Sequence, residues 1–517
     1  LGLLLPLLLL LLLAPAVSVV VKAVRFVWWT PRRMERVLRE QGMRGNPYRL
    51  LFGDIKDQMR LNKEARSKPM PFSHDIDPRV TPLFHQAVSK HGKICFTWLG
   101  PYPRVIIADP DLTRDILSNK FGHFEKPKFN PLGKLLATGL VNYEGEKWAK
   151  HRRIINPAFH IEKLKRMLPS FSACCTDLIT RWEKLVGPEG SCELDVWPEL
   201  QNFTGDVISR TAFGSSYEEG RRIFHLQAEQ AKLLVQSLHN VIIPGYRFLP
   251  TKRNRRMKQN AREVESLLRN IIMKREKEMQ FGASSNDDLL SLLLESNLKY
   301  FKENGDCENF RMTTEDVIEE CKLFYFAGQE TTSVLLTWTM LVLSMYPSWQ
   351  ARARAEVLQV FGNNKPDIDG LSQLRIVTMI LYEVLRLYPP ALFLVSRTYK
   401  AMKLGEYTYP PGVQFLLPIL FIHHDPEFWG EDANEFNPER FAEGISKASK
   451  KQMAFFPFGG GPRICVGQSF AMIEAKMGLA TILQHFSFEL SSAYTHAPWT
   501  VMTLQPQHGA RVMLHRL

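Results

Sequence analysis

Cys465 stands in the run Phe458-Gly459-Gly460-Gly461-Pro462-Arg463-Ile464-Cys465-Val466-Gly467. A glycine run permits a tight turn and lets backbone come close to a ligand. An apolar helical pattern starts just after it, with Phe470, Met472, Ala475, Leu479, Ile482 and Leu483 on one side. Cys465 is therefore expected at a helix N-terminus, where the dipole and free N–H groups stabilise a thiolate. A thiolate is a metal ligand. Zinc would need further Cys or His nearby, and none are present. One thiolate in a glycine-rich loop suits the axial position of a haem iron. Arg463, two residues upstream, suits a haem propionate. Cys307 and Cys321, with no such surroundings, read as packing residues.

A second unusual run is Ala327-Gly328-Gln329-Glu330-Thr331-Thr332, inside a long apolar segment. Gly328 in a helix interior costs roughly 1 kcal/mol relative to Ala. An acid and two threonines there cost more unless they are satisfied. Thr side chains can bond back to earlier carbonyls and deform the helix. The expectation is a widened turn with a hydroxyl and a carboxylate facing a cavity. Dioxygen reduction consumes protons, and an alcohol with an acid can relay them. A new helix capped at Thr331-Thr332 is the competing arrangement, but the apolar pattern runs on almost unbroken to Tyr346.

The spacing Phe-x-x-Gly-x-Arg-x-Cys-x-Gly resembles the haem-ligand signature of the cytochrome P-450 superfamily. The resemblance runs from about residue 50 to the C-terminus. It implies haem b (iron protoporphyrin IX) as cofactor, with Cys465 as axial ligand and Phe458 in the cofactor loop. It implies Glu330 and Thr331 as the acid–alcohol pair, and Ala327 and Gly328 as the residues that leave room on the haem face. Trp148 and Arg152, four apart on one helix face, match family haem contacts, as does Arg397 on a strand; guanidinium suits carboxylate geometry. Glu383 and Arg386 share a helix face at i and i+3. With Arg440 of Pro438-Glu439-Arg440-Phe441, the resemblance makes them a buried structural network. The activity implied is a monooxygenase that oxidises a small lipophilic substrate with dioxygen. Gly459-Gly460-Gly461 is not a dinucleotide turn, so NADPH-derived electrons would come from NADPH–cytochrome reductase. Lys147, Lys150 and Arg153 would form its docking surface. The alternatives are a haem-thiolate isomerase that needs no reductase, and a haem-binding protein without turnover. The intact threonine and cysteine loop argue against both. Tyr48-Arg49-Leu50-Leu51-Phe52-Gly53-Asp54 and Asn156-Pro157-Ala158-Phe159-His160 resemble the plant clan that contains secologanin synthase, which implies a terpenoid substrate.

The elements that must position these residues are mainly helical, with a minor β part. Ala261–Met279 reads as a charged amphipathic helix. Thr313 to Tyr346 reads as one long helix, capped by Thr313, with Glu315 and Asp316 in its first turn and Pro347 closing it. Strands are expected at Lys93–Trp98 and Val105–Ala108, with a turn at Pro411-Gly412. His423-His424-Asp425 lacks partners at helical spacing and reads as a structural turn. Val241–Pro250 is apolar and is followed by five basic residues in Thr251–Lys258. It reads either as a loop before a solvated helix start or as a membrane contact.

The chain has 517 residues, 45% hydrophobic and 23% charged. That excludes a disordered chain and a multi-pass membrane protein. No internal repeat or long linker divides it, so one large domain is expected over residues 50–517. The net charge is +13, but much of it lies in 22–49, a basic linker. This cluster follows an uncharged apolar run at 1–21, long enough to span a bilayer. The charge therefore orients a signal anchor rather than binding nucleic acid, with the catalytic domain on the cytoplasmic side of the endoplasmic reticulum. A cleavable signal peptide ending near Ala14-Pro15-Ala16 fits less well, because the apolar run continues past that site.

Overall fold

The computed structural model describes residues 14–15, 17–120, 122–127, 132–214, 217–238, 248–281, 288–304, 312–451 and 453–517. Helices dominate, and the longest described is Thr314–Met345. Its start follows from a capping box: the Asp316 amide donates to Thr313 Oγ1 at 3.1 Å, and the Thr313 amide to Asp316 Oδ2 at 3.2 Å. Its end follows from Pro347, which opens the next helix, Pro347–Phe361. From Thr332 to Leu343 every residue is buried, so this part of the helix passes through the core with no solvent face. It packs most extensively against Val196–Phe213.

The larger sheet has the order Ile94–Leu99, Tyr102–Ile107, Gln414–Pro418, Phe393–Thr398, Phe124–Glu125. Its pairings are antiparallel except Tyr102–Ile107 with Gln414–Pro418. Gly412, at φ +94°, makes the turn into Gln414–Pro418, where a side chain would be strained. In the three-stranded sheet, Arg511–Arg516 lies between Ser191–Asp195 and Phe486–Leu490.

The expected elements are present with small shifts in their ends. The amphipathic helix extends to Lys252–Gln280, and the Asn254 amide donates to Thr251 Oγ1 at its start. The two early strands are Ile94–Leu99 and Tyr102–Ile107. The apolar run at 1–21 lies largely outside the described residues, as does most of Val241–Pro250, whose described residues Phe248 and Leu249 are exposed. Among the described residues no helix is long and apolar enough to cross a membrane.

Glu383 and Arg386 sit on the helix Arg375–Leu387 and are both fully buried. Arg386 donates from Nε to Glu383 Oε2 at 2.8 Å and from Nη2 to Oε1 at 2.7 Å. Its remaining donors reach the carbonyls of His423, Ala433 and Glu435. Arg440 Nε lies 3.4 Å from Glu383 Oε1, and its Nη1 donates to the Trp429 carbonyl. One carboxylate and two guanidinium groups thus tie a helix to the meander that leads into the cysteine loop. His423 and His424 are buried in the helix Ile419–His424, and Asp425 caps the next one. His423 Nε2 accepts from the Phe456 amide at 2.9 Å, and burial holds its pKa well below the ordinary value. These residues are structural.

Candidate functional site

Cys465 lies three residues before the helix Gln468–His485. Its amide donates to the Phe458 carbonyl at 2.9 Å, which closes the loop into a hairpin. Gly461, at φ +63°, touches the backbone of the helix Pro110–Ser118. A Cβ built there would lie 2.2 Å from the Leu117 carbonyl oxygen, so only glycine fits. The described cysteines at 95, 174, 175 and 321 are buried, whereas Cys465 is exposed. Burial pushes the Cys95 and Cys175 thiols up to about 12. Local desolvation also raises the Cys465 pKa, but the Gly467 amide and the Arg152 guanidinium pull it down. These two groups favour the thiolate.

Arg152 and Trp148 share the helix Gly145–Ile155. Arg152 Nη1 donates to the Ile464 carbonyl at 2.8 Å, beside the cysteine. Trp148 is half-buried, and the Arg463 guanidinium lies 4.7 Å from its ring centroid. The helix is pinned to Thr314–Met345 by His151 Nδ1 on Glu320 Oε1 at 2.6 Å and by Lys147 on Asp316 at 2.7 Å. Lys147, exposed in the helix, directs its charge at Asp316 of this neighbouring helix.

The arginines are also partnered within the chain. Arg463 pairs with Glu144 at 2.5 Å and donates to the Tyr143 carbonyl. Arg397 pairs with Glu125 at 2.8 Å, yet its Nε is buried with no hydrogen-bond partner. Lys126 lies beside Arg463, and burial lowers its pKa to about 8. Glu125, Lys126 and Glu144 were not singled out from sequence. No local motif marks them, because Glu125 meets Arg397, and Glu144 and Lys126 meet Arg463, only through tertiary contacts.

On Thr314–Met345, residues 326–331 are partly exposed in a helix whose following turns are all buried. This half-buried stretch carries the acid and the alcohol. Thr331 Oγ1 donates to the Ala327 carbonyl at 2.7 Å, which is the expected back-bonding. The helix nevertheless runs through without a break in its α-helical assignment. Two placements differ from expectation. Gly328 does not open space: a Cβ there would meet Ile208 Cδ1 at 2.8 Å, so the glycine permits close packing with Val196–Phe213. Glu330 does not stand free beside Thr331. Its Oε1 accepts from Thr503 Oγ1 and from Gln505 Nε2, each at 2.5 Å. Consecutive helical residues point about 100° apart, so an adjacent acid and alcohol cannot share one direction. Thr503 and Gln505 are too distant in sequence for any spacing rule to have named them.

The donor set fits a haem: an exposed cysteine beside an amide and a guanidinium that favour the thiolate, several cations close by, and an orphaned buried Nε on Arg397 suited to a carboxylate. The cytochrome P450 family profile matches residues 76–510. The chain belongs to the cytochrome P450 family, and as such is a haem-iron monooxygenase that uses dioxygen, a substrate and a redox partner. It is 68% identical over 508 residues to Cytochrome P450 CYP72A616 of Paris polyphylla, covering 98% of each chain. It is 57% identical to Cytochrome P450 72A397 of Kalopanax septemlobus, covering 96% of this chain and 95% of that one. It is 55% identical to Cytochrome P450 72A15 of Arabidopsis thaliana, covering 96% of each. The fold is shared with retinoic acid-bound cyanobacterial CYP120A1, at a TM-score of 0.76 and 22% identity, over 92% of this chain and 99% of that one.

Proposed function

We propose that the chain hydroxylates or oxidises a small lipophilic plant terpenoid, with electrons drawn from NADPH through NADPH–cytochrome reductase. The observation that carries the site assignment is Cys465, exposed just before a helix N-terminus with Arg152 and the Gly467 amide beside it. Cys465 would ligate the haem iron, and Trp148, Arg152, Arg397 and Arg463 would hold the propionates, with Lys126 adjoining. When bound, thiolate-ligated haem supplies an electron-rich iron that favours O–O cleavage.

The chain's own residues then manage protons and water. Thr331 Oγ1 holds its proton against the Ala327 carbonyl and can turn it toward the cavity. Glu330, whose Oε1 is held by Thr503 and Gln505, would replenish it by turning from these partners toward Thr331. The buried turns beyond Thr332 keep bulk water away from that side. Ala327 is a small residue on the half-buried stretch 326–331, beside which substrate would lie.

The terpenoid reading rests on the two local matches around Tyr48 and Asn156, and the plant relatives support a plant oxidase. Exposed valines at 17, 19, 20 and 21 and exposed Trp28 and Trp29, followed by Arg32 and Arg33, support an anchor in the endoplasmic reticulum membrane. In that arrangement 1–21 is the anchor, 22–49 the linker and 50–517 the cytoplasmic catalytic domain.

The decisive measurement is the spectrum of the reduced carbonyl complex in microsomes. A thiolate-type red-shifted Soret band is expected, and its retention in Cys465→Ser would overturn the ligand assignment. NADPH-dependent oxidation of a terpenoid panel, with and without added reductase, separates a monooxygenase from an isomerase or a carrier.

A further inference from the structure

Seven residues beyond Thr331, on the same helix face and about 10 Å along the axis, lies Trp338. It is fully buried, and its indole donates to the Leu504 carbonyl at 2.9 Å. Leu504 lies between Thr503 and Gln505, the residues that hold Glu330, so Trp338 borders the candidate site. Its ring stacks on Tyr388 with centroids 4.4 Å apart and planes at 10°. Tyr388 is also fully buried, yet it is a phenol with a specific acceptor: its hydroxyl lies 2.7 Å from His74 Nδ1. The other imidazole nitrogen, Nε2, lies 3.1 Å from the hydroxyl of Tyr346. Tyr346 is half-buried, at the C-terminal end of the long helix. The chain of contacts therefore runs from the edge of the site to the surface.

Packing alone would be met by phenylalanine at 388. A buried phenol against an imidazole is instead the arrangement that lets a tyrosine lose an electron and a proton together. Tryptophan and tyrosine are the side chains most readily oxidised by one electron, and near-parallel stacking couples their π-systems.

We propose that Trp338, Tyr388, His74 and Tyr346 form a one-electron escape route that discharges the haem site when oxidising power accumulates there without substrate. The oxidant is the one the monooxygenase activity itself generates. Trp338 gives it one electron and is restored by one from Tyr388, whose phenolic proton passes to His74 Nδ1. Tyr388 then regains an electron from Tyr346 and its proton from His74, while the Tyr346 proton leaves to solvent. A surface reductant of the ascorbate class returns one hydrogen atom to Tyr346 and leaves as its own radical. Each passage moves one electron inward and consumes one hydrogen atom at the surface. The route protects the site and takes no part in substrate oxidation.

The proposal rests on the haem reading, so each protein is first checked by its reduced carbonyl spectrum, which tests that reading separately. The holoenzyme is then mixed with peroxide without substrate, freeze-quenched and examined by electron paramagnetic resonance. A tyrosyl signal is expected in the wild type. It should be lost or replaced by a tryptophanyl signal in Tyr388→Phe, with haem bleaching several-fold faster at a temperature well below the melting point of either protein. Tyr346→Phe, at a half-buried position, should keep a longer-lived Tyr388 signal that ascorbate no longer quenches. The absence of any protein radical in the wild type would overturn the proposal. So would unchanged radical and bleaching kinetics in both variants.

Discussion

Arg152 donates to the carbonyl of Ile464 at 2.8 Å, and its charge opposes the burial that raises the pKa of the next residue, Cys465. One side chain thus fixes the backbone of the cysteine loop and favours the charged state of its sulfur. The two effects separate in variants. Arg152→Lys keeps the charge but loses the planar fork, so partial haem retention is expected. Arg152→Ala should lose most haem and shift the remaining reduced carbonyl band from thiolate-type to thiol-type. Haem content per chain and the carbonyl spectrum check both.

The Glu383–Arg386 pair should behave as a buried pair in which each charge depends on the other. Removing one partner strands the second without solvent, at a cost of about 3–5 kcal/mol. Arg386→Ala and Glu383→Ala are each expected to lower the denaturation midpoint strongly. Arg386 also satisfies three carbonyls, so exchanging the two charges should not restore stability. Equilibrium denaturation of the double exchange is the test.

Gly461 has no room for a side chain, because a Cβ would fall 2.2 Å from the Leu117 oxygen. Its positive φ adds backbone strain for any other residue. Gly461→Ala should therefore displace the loop and reduce haem retention with little change in helix content. Circular dichroism and haem absorbance on the same sample show whether the effect is local.

Glu330 and Thr331 should uncouple electron flow from product formation. Thr331→Ala and Glu330→Gln are expected to lower product yield by up to about 10²-fold, within the range of general acid–base catalysis, while NADPH consumption persists as peroxide release. Thr503→Val, which removes a donor from the Glu330 carboxylate, should fall between these variants and the wild type. Product formed per NADPH consumed is the readout.

Two buried histidines give stability a definite pH dependence. Burial lowers His74 from 6.5 to about 3 and His496 from 6.5 to about 4. The unfolded chain therefore binds more protons between these values, and the folded state loses stability as pH falls below 6.5. Each site should cost roughly 2 kcal/mol by pH 5. Urea midpoints across pH 7 to pH 5 should decline, and His74→Gln should flatten the slope.

The sequence by itself determined what depends on neighbours along the chain. The cysteine loop and the capping of the long helix by Thr313 were legible because turn chemistry, caps and periodicity are local, whereas Trp148, Arg152 and Arg397 were named through the family resemblance. The Glu383–Arg386 pair was legible because i and i+3 share a helix face. The tertiary structure decided which partner each charged group meets. Glu330 reaches Thr503 and Gln505, Arg463 reaches Glu144, Arg397 reaches Glu125 and Lys147 reaches Asp316. Gly328 looked like space for a ligand, yet Ile208 occupies that space. Spacing within one segment sets the direction of a side chain, but packing between distant segments sets what stands there to receive it.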